Sequence, residues 1–348
     1  MNSSTTGPST PTALSTIRLG VAGVGSLGFH HARIARDLPG TTMAGFHEPR
    51  PDRAAEVAGE LGIPSFDSLD ALLDEVDALV VATPTSTHEA VAMAALNRGI
   101  HVFVEKPIAR DLAEADRIVA AAGRTGALVQ VGHVERFNDA LIAAAPYLDE
   151  PLFIESHRLA PFSERGTDVA VVLDLMIHDV DLVASLVGRP ILDIQATGIP
   201  VLTPSIDIAN ARIAFEGGAV ANLTASRVSM ERMRKLRIFQ RSGYMSLNLA
   251  DGTGEFLRLK KDLLAQAGVG KGTGSFELPP NGILGIVERI PLSTEREEPL
   301  RRELSSFVNS IAGGHLPPVT AEDGRDALAT ALAIQERIMT HVSDTRSA

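Results

Sequence analysis

The chain has 348 residues, 45% of them hydrophobic and 22% charged, with a formal net charge of −11 and no cysteine. Single cores rarely grow past about 250–300 residues, so the length predicts two domains. The acidic balance argues against a general binder of nucleic acid or of anionic membranes, and without cysteine there are no disulfides, thiolate nucleophiles or Cys-ligated zinc.

Residues 1–15 are rich in Ser, Thr and Pro and lack a basic segment followed by an apolar run. They predict a disordered leader rather than a signal peptide. No stretch reaches the roughly 18 consecutive apolar residues of a membrane span. A cytoplasmic protein without membrane or nucleic-acid partners is the default expectation.

The first element is a branched apolar run from Ile17 that leads into Gly23-Val24-Gly25-Ser26-Leu27-Gly28. A helical pattern of Leu27, His31, Ile34 and Leu38 follows. Glycine at 23 lets the chain turn off the strand, Gly25 lets a pyrophosphate approach the backbone, and Gly28 lets helix and strand pack closely. A second apolar run, Thr42 to Phe46, closes on Glu48, about 20 residues on, where an acid takes ribose hydroxyls. This context turns a weak motif into a dinucleotide site, with Gly23, Gly25, Ser26, Leu27, Gly28 and Glu48 as contacts. His31 is read as a packing residue.

Helices are expected over Asp52–Leu61 and near Asp67–Asp74. Val76 to Pro84 is a nearly continuous apolar run, the mark of a strand buried on both faces. Thr83, Pro84 and Thr85 lie at its carboxyl end, where open sheets bind ligands. Ile100–Val104 is a strand that runs into Glu105-Lys106-Pro107, and Ala127–Gly132 is one more. Strands alternate with helices to about residue 134, which predicts a doubly wound parallel sheet over 16–134.

The pattern then changes. His133–Asn138 starts a helix, Phe153–Leu159 reads as a strand and Val169–Val187 as a long helix. Six strands follow without helices between them: Ile191–Thr197, Ile206–Phe215, Ala219–Ser226, Lys235–Phe239, Tyr244–Leu249 and Glu255–Leu259. They predict an open, mostly antiparallel sheet. The Gly- and Pro-rich segment 266–285 is expected to be a mobile loop, and helices over Pro299–Ala312 and Glu322–Val342 close an α+β domain spanning 135–348.

Two stretches carry chemistry. Lys106 lies on the rim where cofactor and substrate would meet, and a lysine there stabilises a developing alkoxide; read from position alone, a solvated turn lysine fits equally well. In Asp174-Leu175-Met176-Ile177-His178-Asp179-Val180-Asp181, residues 174 and 178 share a helix face, and a histidine among acids suits a general base. A core histidine flanked by surface acids is the bland alternative. No metal site is expected, because a catalytic zinc needs three placed ligands and an open position.

The glycine loop, Glu105-Lys106-Pro107, Arg136-Phe137-Asn138, the Asp174–His178 helix and the ending Pro317 to Gly324 occur in this order. Together they resemble the Gfo/Idh/MocA family of NAD(P)-dependent oxidoreductases over residues 17–342. The resemblance implies a Rossmann domain, a second domain whose open sheet mediates homo-oligomers, a cis Lys106-Pro107 bond, and Lys106, Asp174 and His178 as the catalytic group. It adds His88, Glu105 and Lys106 to the cofactor contacts, and Lys106, Arg136, Asn138 and His178 to the substrate contacts. Two features depart from the family pattern. Glu48 stands where Asp is usual, and Met176-Ile177 replaces a glycine common between the catalytic Asp and His, which implies tighter packing around His178. NAD is the expected cofactor, with NADP kept open by Arg50 and Arg53.

Val172–Asp179 and Ser226–Lys235 further resemble the branch that oxidises UDP-N-acetylglucosamine. From Arg227 to Arg241 the text sets six bases, Arg227, Arg232, Arg234, Lys235, Arg237 and Arg241, against one acid, Glu231. Such a patch suits a diphosphate, or is a solvated face or a subunit contact; Arg158 and Arg165 are rival phosphate contacts. The resulting expectation is an NAD-dependent sugar or nucleotide-sugar dehydrogenase, in which His178 takes the hydroxyl proton and Lys106 stabilises the alkoxide, or the reverse. The alternatives are a dehydrogenase of inositols, free sugars or other cyclic substrates, and a non-catalytic cofactor-binding regulator.

Overall fold

A computed structural model describes residues 16–163, 169–260 and 285–347. The leader over 1–15, Arg165 and nearly all of the 266–285 segment lie outside the described residues.

Six parallel strands form the first sheet: β1 (Ile17–Ala22), β2 (Thr41–His47), β3 (Ser65–Phe66), β4 (Ala78–Val81), β5 (His101–Glu105) and β6 (Val129–Gly132), in the order β3-β2-β1-β4-β5-β6. Every residue of β4 is buried, as its continuous apolar text requires. Helices cover both faces. The first, Ser26–Arg36, opens directly after the glycine loop. The order reverses between β1 and β4, so their carboxyl ends frame the crevice in which doubly wound sheets bind ligands.

The second sheet has eight strands: β7 (Phe153–Leu159), β8 (Ile191–Ile199), β9 (Ile208–Phe215), β10 (Val220–Ser226), β11 (Met233–Gln240), β12 (Gly243–Asn248), β13 (Thr253–Leu259) and β14 (Val287–Leu292), in the order β14-β13-β12-β11-β7-β10-β9-β8. Only β7 and β10 pair in parallel; the other neighbours are antiparallel. Residues alternate between a buried face and an open one, as half-covered sheets demand. Ile213, Leu223, Leu236 and Ile238 on the covered face share a core with Met176, Ile177, Val180 and Val183 of the helical segment over 172–187 and with Ile334 and Ile338 of the last helix.

Three elements differ from the expectation. The helix expected over 169–187 is π-helical over Val172–Met176 before continuing as an α-helix over Ile177–Val187. β3 is only two residues long and carries no strand pattern. β14 was not anticipated: its text, Val287-Glu288-Arg289-Ile290-Pro291-Leu292, is charged and holds a proline, which is how edge strands look.

The chain returns to its first sheet near the end. Helix Pro299–Gly313 lays Leu304, Phe307 and Val308 into the core formed by Leu19, Val21, Phe46 and Phe103. Phe307 and Phe103 meet edge to face, with ring centroids 5.9 Å apart. Phe307→Ala removes a fully buried ring and should cost about 3–5 kcal/mol, read as a lower midpoint of urea unfolding.

Candidate active site

The glycine loop fits a dinucleotide pyrophosphate. Gly23 has φ +82°, a conformation side chains rarely adopt, and a Cβ on Gly28 would fall 1.9 Å from the Gly23 carbonyl oxygen. A Cβ on Gly25 would meet only the Arg50 guanidinium, at 3.9 Å, so the approach to the backbone is open. Ser26 and Leu27 lie exposed at the helix start. Glu48, expected on the ribose, is 7% exposed, and its carboxylate accepts hydrogen bonds from the Val24 N–H at 3.1 Å and from Arg50 Nε at 2.8 Å. A ribose diol would therefore have to share this acid with Arg50.

The crevice opens beside the ends of β4 and β5. A cleft of about 430 Å³ is lined by Pro84, Thr85, Lys106, Arg110, Leu173 and Asp174, among others. The Lys106-Pro107 bond is cis, as the family resemblance implied. Lys106 Nζ donates to the main-chain oxygen of Asp174 at 2.7 Å and lies 3.8 Å from its carboxylate. The lysine turn and the histidine helix, 68 residues apart at this bond, are thus brought together. Asp174 holds the lysine mainly through its carbonyl, inside the π-helical segment, a variant that recurs at functional sites.

His178 stands partly buried on the same helix, with Nδ1 fully buried. Burial pushes its imidazole well below the ordinary value, and Lys106, Arg158, His133 and Arg234 push the same way. Burial also lowers the Lys106 ammonium, against the pull of Asp174 and Glu105. A neutral imidazole beside a cation is a suitable acceptor for a hydroxyl proton, with the ammonium stabilising the oxygen left behind.

Several expected contacts are engaged elsewhere. Both His88 nitrogens lie 2.9 Å from carbonyls, of Pro107 and of Thr83, so this buried ring braces the lysine turn and is not free for a cofactor. Glu105 is met by His31 Nε2 at 2.6 Å and by the Lys106 N–H at 3.2 Å. Asn138 caps the next helix by accepting from the Ala140 N–H, and it donates to the Leu249 carbonyl. Arg136 makes a two-pronged pair with Asp181 at 2.6 and 2.7 Å, outside the cleft. Arg158 is 3% exposed and saturated by Asp179 and Glu135. Three of the expected substrate contacts are therefore structural, because each found a buried acid or carbonyl first.

The basic patch also divides. On β11, Lys235 and Arg237 share the open face, whereas Arg234 lies with Leu236 and Ile238 on the face toward His178. Arg227 is buried and donates to the Val169 carbonyl. Arg234 reaches Glu135 only at 3.4 Å, and that acid is already paired with Arg158 at 2.7 Å. Sequence reasoning passed over His133, whose ring centroid is 6.4 Å from that of His178. The available signal was its place just past β6 on the same carboxyl rim as Lys106. Among the described residues no group of His, Asp and Glu side chains is arranged to hold a metal ion, and no helix is long and apolar enough to cross a membrane.

Comparison with known proteins decides the family. Residues 17–133 match the NAD-binding Rossmann domain of the Gfo/Idh/MocA oxidoreductase family, and residues 150–246 match a C-terminal domain of that family. The chain belongs to the Gfo/Idh/MocA family. It is 36% identical over 324 residues to UDP-N-acetylglucosamine 3-dehydrogenase of Acidithiobacillus ferrooxidans, covering 92% of this chain and 96% of that protein. A solved structure of UDP-N-acetylglucosamine 3-dehydrogenase from that organism superposes with a TM-score of 0.82 at 35% identity, over 92% of this chain and 97% of the other. The scyllo-inositol 2-dehydrogenase (NAD(+)) of Bacillus subtilis is 31% identical over 232 residues, 61% of this chain and 68% of that protein.

One buried acid stands out within this family frame. Glu303, on helix Pro299–Gly313, is 0% exposed, and neither carboxylate oxygen has a hydrogen-bond partner among the described residues. Burial, then Glu105 and Asp181, push its carboxyl well above 4.5. The folded protein keeps this proton at pH values where the unfolded chain has lost it, so stability falls as pH rises above the unfolded value. Glu303→Gln should raise the urea midpoint more at pH 8 than at pH 5.

Proposed function

We propose that this chain is an NAD-dependent dehydrogenase of a sugar hydroxyl, acting on a nucleotide sugar, with UDP-N-acetylglucosamine as the first candidate. The observation that carries the reading is Lys106, anchored on Asp174 in the cleft, with the half-buried His178 one turn further along the same helix, its imidazole held in the neutral form by burial and by Lys106. The similarity to a UDP-N-acetylglucosamine 3-dehydrogenase over nearly the whole chain supports the substrate class. Arg234 supports it independently, as a weakly paired guanidinium on the His178 side of the sheet, suited to a phosphate.

In this reading Gly23, Gly25 and Gly28 hold the pyrophosphate, and Thr85 and Pro84 line the nicotinamide end of the crevice. When bound, the nicotinamide supplies the hydride acceptor. His178 takes the hydroxyl proton, Lys106 donates a hydrogen bond to the same oxygen, and the Asp174 carbonyl fixes the lysine's position. NAD is favoured by Glu48, and Arg50 beside it leaves NADP to be tested.

A cytoplasmic homo-oligomer that associates through the open face of the eight-stranded sheet belongs to the same proposal. That face carries a stack of Phe153, Phe239 and Tyr244, with centroids 5.5 and 4.6 Å apart, beside a polar hollow of about 540 Å³ that includes His157 and Arg212. Inositol oxidation is the second reading, favoured by the similarity to a scyllo-inositol 2-dehydrogenase over 61% of this chain.

A panel of UDP-N-acetylglucosamine, N-acetylglucosamine and inositols, followed at the reduced-cofactor absorbance, separates the readings. Turnover of the nucleotide sugar alone is expected, and turnover of inositols alone would replace the first reading by the second. Lys106→Met and His178→Asn should each lower kcat by about 10²–10⁴-fold and leave NAD affinity unchanged. Unchanged rates in both would remove the catalytic assignment.

A further inference from the structure

Two imidazoles meet behind the cleft. The rings of His133 and His178 stand edge to face, with centroids 6.4 Å apart and planes at 89°. His133 is 1% exposed, and neither of its nitrogens has a hydrogen-bond partner among the described residues; the same is true of His178 Nδ1. Buried polar atoms are nearly always satisfied, and leaving one unsatisfied costs stability. Other buried histidines are at least partly tied down: His31 meets Glu105 through Nε2, although its Nδ1 lacks a partner, and His88 meets two carbonyls. His133 differs in having both nitrogens without a partner among the described residues, and it lies against His178.

Beyond His133 the next polar group is Asp181, past direct hydrogen-bond reach, so a bridging water or a turn of the ring must close each gap. His133 Nδ1 lies 3.9 Å from Asp181 Oδ2. Asp181 is held by Arg136, and both line a second hollow of about 720 Å³ with Arg189, Asp323 and Asp326. This hollow shares no lining residue with the Lys106 cleft.

We propose that His133 is a relay residue, which takes from His178 the proton removed from the substrate hydroxyl and passes it toward Asp181 and the Arg136 hollow. The proposal rests on the dehydrogenase reading above. Oxidation of a secondary alcohol breaks a C–H bond, whose electron pair leaves as hydride to the oxidised cofactor, and an O–H bond, whose proton is left on the enzyme. That proton must depart before His178 can act again, and substrate and cofactor cover the open side of the ring. An imidazole can gain a proton on one nitrogen and lose one from the other, so the buried Nδ1 of His178 offers the exit. The charged and titratable groups around His133 are Asp181, Arg136, Lys106, Glu105 and His178. Burial lowers the basicity of both rings, so each is neutral and able to accept near pH 7. His133 does not line the Lys106 cleft and acts through His178.

The test uses the full chain with His133→Gln. Its kcat should fall about tenfold or more with NAD affinity and thermal midpoint retained, and the solvent deuterium isotope effect on kcat should rise as proton departure becomes limiting. In His133→Gly, added imidazole should restore part of the lost rate. An unchanged kcat and isotope effect would overturn the proposal. So would a fall in kcat with an unmoved isotope effect and no rescue, which marks packing only. An NMR titration of His178 in the cofactor-free protein reads the coupling without any substrate. In His133→Gln the midpoint of His178 should move to higher pH, because a neighbour that disfavours its protonation is gone. If no alcohol is turned over by the unaltered enzyme, the dehydrogenase reading fails, and the titration still decides whether the rings are coupled: an unmoved midpoint shows that they are not and sinks the relay.

Discussion

The hydrogen bond from Lys106 Nζ to the Asp174 carbonyl holds the two halves of the site in one place. Everything around it serves that placement. β5 ends at Glu105, so the lysine leaves the sheet on its carboxyl rim. The next turn is braced by His88, whose ring spans from the Pro107 carbonyl to the Thr83 carbonyl at the end of β4. On the opposite side, the helix that receives the amine is wound as a π segment where Asp174 lies, and its Met176 and Ile177 are fully buried in the core of the second sheet. A main-chain acceptor suits this task, because a carbonyl cannot change its charge and cannot swing away as a carboxylate can.

The charges nearby are arranged so that His178 sees cations. Its sequence neighbours Asp179 and Asp181 point away from the cleft and are taken up by Arg158 and Arg136. Buried ion pairs of this kind contribute little net stability, since desolvation offsets the attraction. Their effect here is on the field: the acids are neutralised, while Lys106, Arg158 and Arg234 still bear on the imidazole. The same pairs explain why Arg158 and Arg136 are not free to hold a substrate.

Much of this architecture is legible in the residues themselves. The glycine loop, the continuous apolar text of β4 and the alternation in β9 and β10 each encode their structure through a local period or a steric requirement, and each is found where that requirement places it. The meeting of Lys106 with the Asp174–His178 helix was implied by family resemblance and not by spacing, because no local rule reports contacts between segments so far apart. What stayed hidden is the outcome of competition. Nothing in the text of Asn138 or Arg158 says that a carbonyl or a buried acid will claim the side chain before a ligand can. His133 was missed for a related reason: a lone histidine after a glycine has no period, and its interest comes only from lacking partners once folded. The π segment is likewise invisible to a pattern read at the α-helical period.

The return of helix Pro299–Gly313 to the first sheet has a consequence for how the molecule comes apart. Because Leu304 and Phe307 complete a core begun by Leu19 and Phe46, the cofactor half is not finished until nearly the whole polypeptide exists. The last helix then packs Leu328 near the first sheet and Ile334 and Ile338 against the second. The two sheets are thereby expected to melt as one cooperative unit rather than as separate foldons. A nucleotide bound at the glycine loop would, by mass action on the native state, protect the distant eight-stranded sheet as well.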